Sequence, residues 1–153
     1  MLSLLATLGC GLMGGFFFAF SVVVMRALAK RPAPEAIAAM QSINVVVLNA
    51  WFLGVFFGTA VICMAAIVLA ALNRGEHAAP WLLSGGLLYL VGTIWVTMRF
   101  NVPRNEALKR SSPSSSDGTK LWADYLVTWT AWNHVRALAG ILAAACFGMA
   151  LHV

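Results

Sequence analysis

The chain has 153 residues, the length of one ordinary domain, but 61% of them are hydrophobic and only 10% are charged, against about 45–50% and 25% in soluble domains. That balance excludes a soluble globule and predicts an all-α integral membrane protein. The net charge of +5 does not call for nucleic acid as a partner, because the basic residues fall in and beside the loops of apolar helices rather than on a basic soluble face.

Four apolar runs, at about 2–28, 44–72, 81–100 and 129–151, each exceed or match the roughly 20 helical residues that cross a hydrocarbon core. They predict a single four-span membrane domain, a four-helix bundle with four transmembrane helices. The first run ends in Ala27-Leu28-Ala29, a small-residue pattern like that of a cleavage site. No positive charge precedes it, and it is much longer than the roughly 7–15 residues of a signal-peptide core, so it reads as a retained span. Gly11 and Gly15 in the first run, and Gly54 and Gly58 in the second, have the small-xxx-small spacing that lets two helices approach, which predicts a contact between these spans. Cys10 with Met13, Cys63 with Met64 and Cys146 with Met149 put sulfur on three helices at similar depth, the ligand type of a Cu(I) site, though such residues equally serve as packing.

After the first span, Lys30 to Ala36 contains Pro32 and Pro34, which end one helix and restart another. From there the pattern runs without a break into the second span, carrying Gln41 and Asn44 on one face and Asn49 deeper. The third span leads into N-V-P-R-N over 101–105, where Pro103 disfavours helix at Val102 and predicts a break flanked by Asn101 and Asn105. A Ser-rich stretch at about 108–120 reads as a mobile loop. The fourth helix enters with Trp122, Tyr125, Trp129 and Trp132 at helical spacing, partly an interfacial aromatic belt. Trp129, Asn133 and Arg136 share a face, and His134 is turned about 100° from it.

Charge sets the topology. Arg26, Lys30 and Arg31 flank loop one; Arg99, Arg104, Lys109, Arg110 and Lys120 flank loop three; loop two has Arg74 alone. The positive-inside rule therefore places loops one and three in the cytoplasm, with both termini outside, as expected for a bacterial inner membrane. The basic residues then meet anionic membrane lipids. Under this topology Gln41, Asn44, Asn101, Asn105, Asn133, His134 and Arg136 come from three helices yet all lie in the cytoplasmic third. Polar groups inside a bilayer are costly and mark sites, so they predict one pocket flanked by Trp129 and Trp132.

The segments M-G-G-F-F-F-A-F-S, A-M-Q-S-I-N-V-V-V-L-N, N-V-P-R-N-E-A-L and W-T-A-W-N-H-V-R, in this order on four spans, resemble the anthrone oxygenase-like membrane family, long catalogued as a domain of unknown function. The resemblance implies oxidation of an anthrone or a related aromatic or polyketide substrate, an activity associated with fungal relatives, with neither organic cofactor nor metal. On that reading His134, Arg136 and Asn133 are the catalytic candidates: His134 takes a proton, and Arg136 with Asn133 holds the developing oxyanion. Gln41, Asn44, Asn101, Asn105, Trp129 and Trp132 would bind the substrate, and no residue is assigned to a metal. Glu106 and Asp124 are the only carboxylates near His134, a thin set for iron or zinc, and His134 would be the one axial candidate for haem. The alternative is a non-catalytic module that binds a lipid or hydrophobic small molecule, or a subunit of a larger membrane assembly. A homo-oligomer is compatible with either.

Overall fold

A computed structural model describes all residues 1–153, and the chain is helical throughout, with no strand. There are five helices: α1 Leu2–Leu28, α2 Ala33–Val46, α3 Ala50–Leu72, α4 Ala79–Arg110 and α5 Ser116–Met149. Against the four spans expected, the fifth helix is the short α2, which stands as a separate element. The stretch around Asn44 does not run into the second span, because the helix stops at Val46 and Asn49 caps a new one, its Oδ1 accepting from Phe52 N at 3.0 Å. Asn49 is exposed at this elbow rather than buried in a span.

Three helices, α1, α3 and α4, are long and apolar enough to cross a membrane, which marks the chain as a membrane protein. The helix α5 is longer still, but Asn133, His134 and Arg136 interrupt its apolar half. The four long helices pack in a ring, α1 and α4 each touching both α3 and α5. Neighbours run antiparallel, as the paired residues show: Gly11 faces Ala144 and Ser21 faces Asn133 on α5, while Gly85 faces Phe147 and Asn101 faces Trp129.

The predicted glycine contact is differently made. A Cβ added at Gly15, Gly54 or Gly58 would meet nothing, whereas one at Gly14 would lie 2.8 Å from the Ile141 backbone nitrogen and one at Gly140 would lie 2.9 Å from Gly14 Cα. The closest backbone approach thus joins α1 to α5. Contact of α1 with α3 runs instead through Gly9 against Thr59 and through Cys10, whose Sγ lies 3.9 Å from that of Cys63. No three His, Cys, Asp or Glu side chains converge anywhere.

Pro103 does not break α4. The backbone stays helical through Asn101 and Val102, and the helix widens into a π turn over Thr97–Asn101 just before the proline. Two further π stretches, Phe20–Val24 in α1 and Leu88–Trp95 in α4, complete a pattern: Ser21, Thr93, Thr97 and Asn101, which bond α1 and α4 to α5, lie on π turns, whereas Arg104 and Asn105 bond to α5 from the α-helical segment that follows. Such turns recur at functional sites because they shift side chains out of the regular helical register.

Where a mobile segment is expected over about 108–120, α4 continues to Arg110 and α5 begins at Ser116. Ser115 caps α5 by accepting from Gly118 N at 2.9 Å. The helix α2 closes this end: its buried Ala36, Ile37 and Met40 pack with Met25, Leu108, Trp122, Tyr125 and Trp129. Gln41 fastens it, Nε2 donating to Leu108 O at 2.8 Å and Ser111 O at 3.1 Å.

Candidate functional site

Between the α2–α3 elbow and α4 a cavity of about 140 Å³ opens, lined by eighteen residues of which fourteen are hydrophobic. Its apolar wall is largely aromatic, Phe16, Phe17 and Phe20 from α1 and Phe52, Phe56 and Phe57 from α3. Phe52 and Phe56 stack with centroids 5.8 Å apart. The volume matches the about 150 Å³ that holds one benzene in an engineered protein cavity, so one ring fits inside and a larger ligand must extend through the mouth. Leu48, Phe57 and Met98 line the cavity and are also exposed on the lateral surface, so the mouth faces the side of the bundle. A shallow groove beside it shares Phe16, Phe20 and Phe52 and adds Ser42, Val46 and Asn49.

The four polar residues of the lining are Asn44, Thr97, Asn105 and Arg136. Arg136 is 5% exposed and has no carboxylate partner, since the single ion pair of the chain is Arg31–Glu35 on the surface. Its charge is met by weaker means. The guanidinium lies 4.2 Å from the Phe17 ring centroid and 5.2 Å from that of Trp129, two cation–π contacts worth about 0.5–2 kcal/mol each. Nη2 donates to Asn133 Oδ1, Nη1 donates to Thr97 Oγ1 at 3.2 Å, and Nε has no partner. Neutral acceptors and ring faces leave the positive charge uncompensated, which is unusual for a buried guanidinium.

Asn133 is fully buried behind the arginine and does not line the cavity. Its Nδ2 donates to Phe17 O and Ser21 Oγ, both at 2.7 Å, so its Oδ1 is fixed toward Arg136. It holds the guanidinium from behind. Asn101 is also fully buried and outside the lining; Nδ2 donates to Trp129 O at 3.2 Å and Oδ1 has no partner. Asn105 is different, because its Oδ1 accepts from both Tyr125 Oη at 2.8 Å and Trp129 Nε1 at 2.7 Å, which directs its NH₂ to the cavity.

The remaining expectations are redistributed. His134 is exposed on the outer face of α5 and lines neither cavity nor groove, because the residue after Asn133 is turned by about 100°. It therefore stands apart from the arginine as a proton acceptor or haem ligand, and Glu106 and Asp124 are exposed as well. Trp132 is stacked on Phe100 at 3.6 Å outside the cavity, and Gln41 ties α2 to α4 rather than facing a ligand. The structure brings together Asn44, Asn105, Trp129 and Arg136, with Asn133 behind them. Thr97 and the phenylalanines of α3 have no site role in the sequence reading; the recurrence of Thr93, Thr97 and Asn101 every four residues was the available signal for the first.

The profile of the anthrone oxygenase family matches residues 49–146, from the cap of α3 almost to the end of α5. No curated protein and no solved structure matches the chain. The matched range includes Thr97, Asn105, Trp129, Asn133 and Arg136, while the wall supplied by α1 and α2 lies outside it. Since that range spans well over half of the chain, the protein belongs to the anthrone oxygenase family.

Proposed function

We propose that the chain is a four-span membrane oxygenase that oxidises an anthrone-like aromatic with O₂, α5 crossing the bilayer alongside α1, α3 and α4. The observation that carries this reading is the uncompensated Arg136 guanidinium set into an aromatic cavity with a lateral mouth. An apolar aromatic that enters from the bilayer and turns anionic on reaction is the ligand such a wall would hold best. The basic residues beside loops one and three favour a cytoplasmic position for the cavity end.

In this scheme Arg136 takes up the enolate form of the substrate, and the C10 proton is released to water as the anion binds. The lining supplies no carboxylate or imidazole to accept it. The enolate gives one electron to O₂, and the resulting carbon radical and superoxide join as a C10–O bond. Protonation gives the hydroperoxide; loss of the remaining C10 hydrogen as a proton, with cleavage of O–O and departure of hydroxide, leaves the carbonyl. One anthrone and one O₂ become one anthraquinone and one water. The purified protein should consume one O₂ per anthrone without releasing peroxide, as measured with an oxygen electrode and a peroxidase-coupled assay. Oxidation no faster than in empty detergent micelles would overturn the reading. The same guanidinium also supports a second reading, non-catalytic binding of an acidic lipid, and that assay separates the two.

A further inference from the structure

The polar wall of the cavity presents donors on either side of Trp129. Asn105 Oδ1 is occupied by Tyr125 Oη and Trp129 Nε1, which leaves only its NH₂ for a ligand. Asn44 Nδ2, beside the Tyr125 hydroxyl, is buried without a partner. The Thr97 hydroxyl donates to Thr93 O at 2.6 Å and accepts from Arg136, so its proton is not free for a ligand. Arg136 has donors alone.

These donors form two groups separated by one indole. Arg136 lies over the face of Trp129, 5.2 Å from its centroid, and Asn105 is bonded to the Nε1 edge of the same ring; Asn44 belongs to the Asn105 side through Tyr125. A ligand ring laid along this wall thus meets a donor near each end. A buried donor left unmatched is costly, so the wall favours a planar ring with an acceptor oxygen at each end.

We propose that this cavity is a binding site for para-quinones, with one quinone oxygen taken by Arg136 and the other by the amides of Asn105 and Asn44. The inference rests on the donor geometry rather than on the oxygenase reading. It fits two sources: the quinone that the proposed oxidation would form, which would then be a competitive inhibitor, and the prenylated quinones of a bilayer, whose tails would leave by the lateral mouth and the groove beside it.

The test is binding to the purified full chain in detergent, followed by calorimetry, with 9,10-anthraquinone, a short-chain prenylated 1,4-naphthoquinone and the oxygen-free hydrocarbon anthracene. At least one quinone should bind tenfold or more tighter than anthracene. The tighter of the two identifies the source, the tricycle pointing to product and the prenylated ring to the bilayer pool. Asn105→Asp keeps an acceptor for Tyr125 and Trp129 but replaces the cavity-facing donor by a carboxylate oxygen, so it should cancel the preference, read as the ratio of quinone to anthracene affinity in the same chain. Equal binding of quinones and anthracene, or an unchanged preference in the folded Asn105→Asp chain, would overturn the proposal. Quinone binding without anthrone oxidation would sink only the oxygenase reading, and oxidation without quinone preference only this one.

Discussion

The two ends of this bundle are built from the same helices by opposite means. Away from α2, small residues let backbones touch: Gly14 against Gly140, and Gly86 so close to α3 that an added Cβ would stand 3.0 Å from Cys63 O. Toward α2, phenylalanines and Trp129 hold the helices apart, π turns present Ser21, Thr93, Thr97 and Asn101 to α5, and a cavity opens. The difference teaches that the closed end fixes the geometry of the open one. A cavity with an unpaired guanidinium holds its shape only if helices are clamped elsewhere, because an apolar void and a buried charge both favour collapse or rearrangement.

Breaking the clamp gives the largest expected effect. Gly14→Leu should prevent recovery of folded protein, since its side chain would enter the α5 backbone, whereas Gly54→Ala and Gly58→Ala, which meet open space, should unfold within about 0.5 kcal/mol of the parent; thermal unfolding in detergent reads both. Next, Asn133→Leu strands the Arg136 Nη2, Phe17 O and Ser21 groups at the join between the two ends. At about 1–3 kcal/mol for an unsatisfied buried group, the variant should lose about 2–4 kcal/mol of stability, and tenfold or more in anthrone oxidation. The smallest effect sharpens the comparison at the cap of the open end. Gln41→Leu removes the hydrogen bonds to Leu108 O and Ser111 O, and should lower stability by about 1 kcal/mol while leaving the KM for an anthrone within twofold.

How much of this was legible in the residues follows from what each signal depends on. Apolar runs of sufficient length fix helices whatever their neighbours do, so α1, α3 and α4 and the location of the polar cluster could be read directly. Arg136 could be read too, as a charge too costly to be idle. Among the polar candidates, Asn44, Asn105 and Trp129 do line the cavity, but which of the others face it could not be read, because that depends on helix rotation and on the π turns, which displace a face relative to a regular helical wheel. Thus His134, adjacent to Asn133 in sequence, points outward, and Asn133 itself stands behind Arg136 rather than in the lining. The elbow at Val47–Asn49 was hidden for another reason: it has no glycine or proline, and its cap is a single asparagine within an apolar run. The glycine contact was misplaced because GxxxG spacing records that a close approach is possible, not which helix makes it.

The most direct test compares Arg136→Met with His134→Ala, both verified as folded by their thermal transitions, in oxidation of an anthrone under air. Removing one transition-state donor of this kind costs about 10²–10³ in rate. The arginine variant should therefore lose at least a hundredfold in kcat/KM, while the outward-facing histidine variant stays within twofold of the parent. Parent-like oxidation by Arg136→Met would contradict the account, as would a loss in His134→Ala as large as that in the arginine variant.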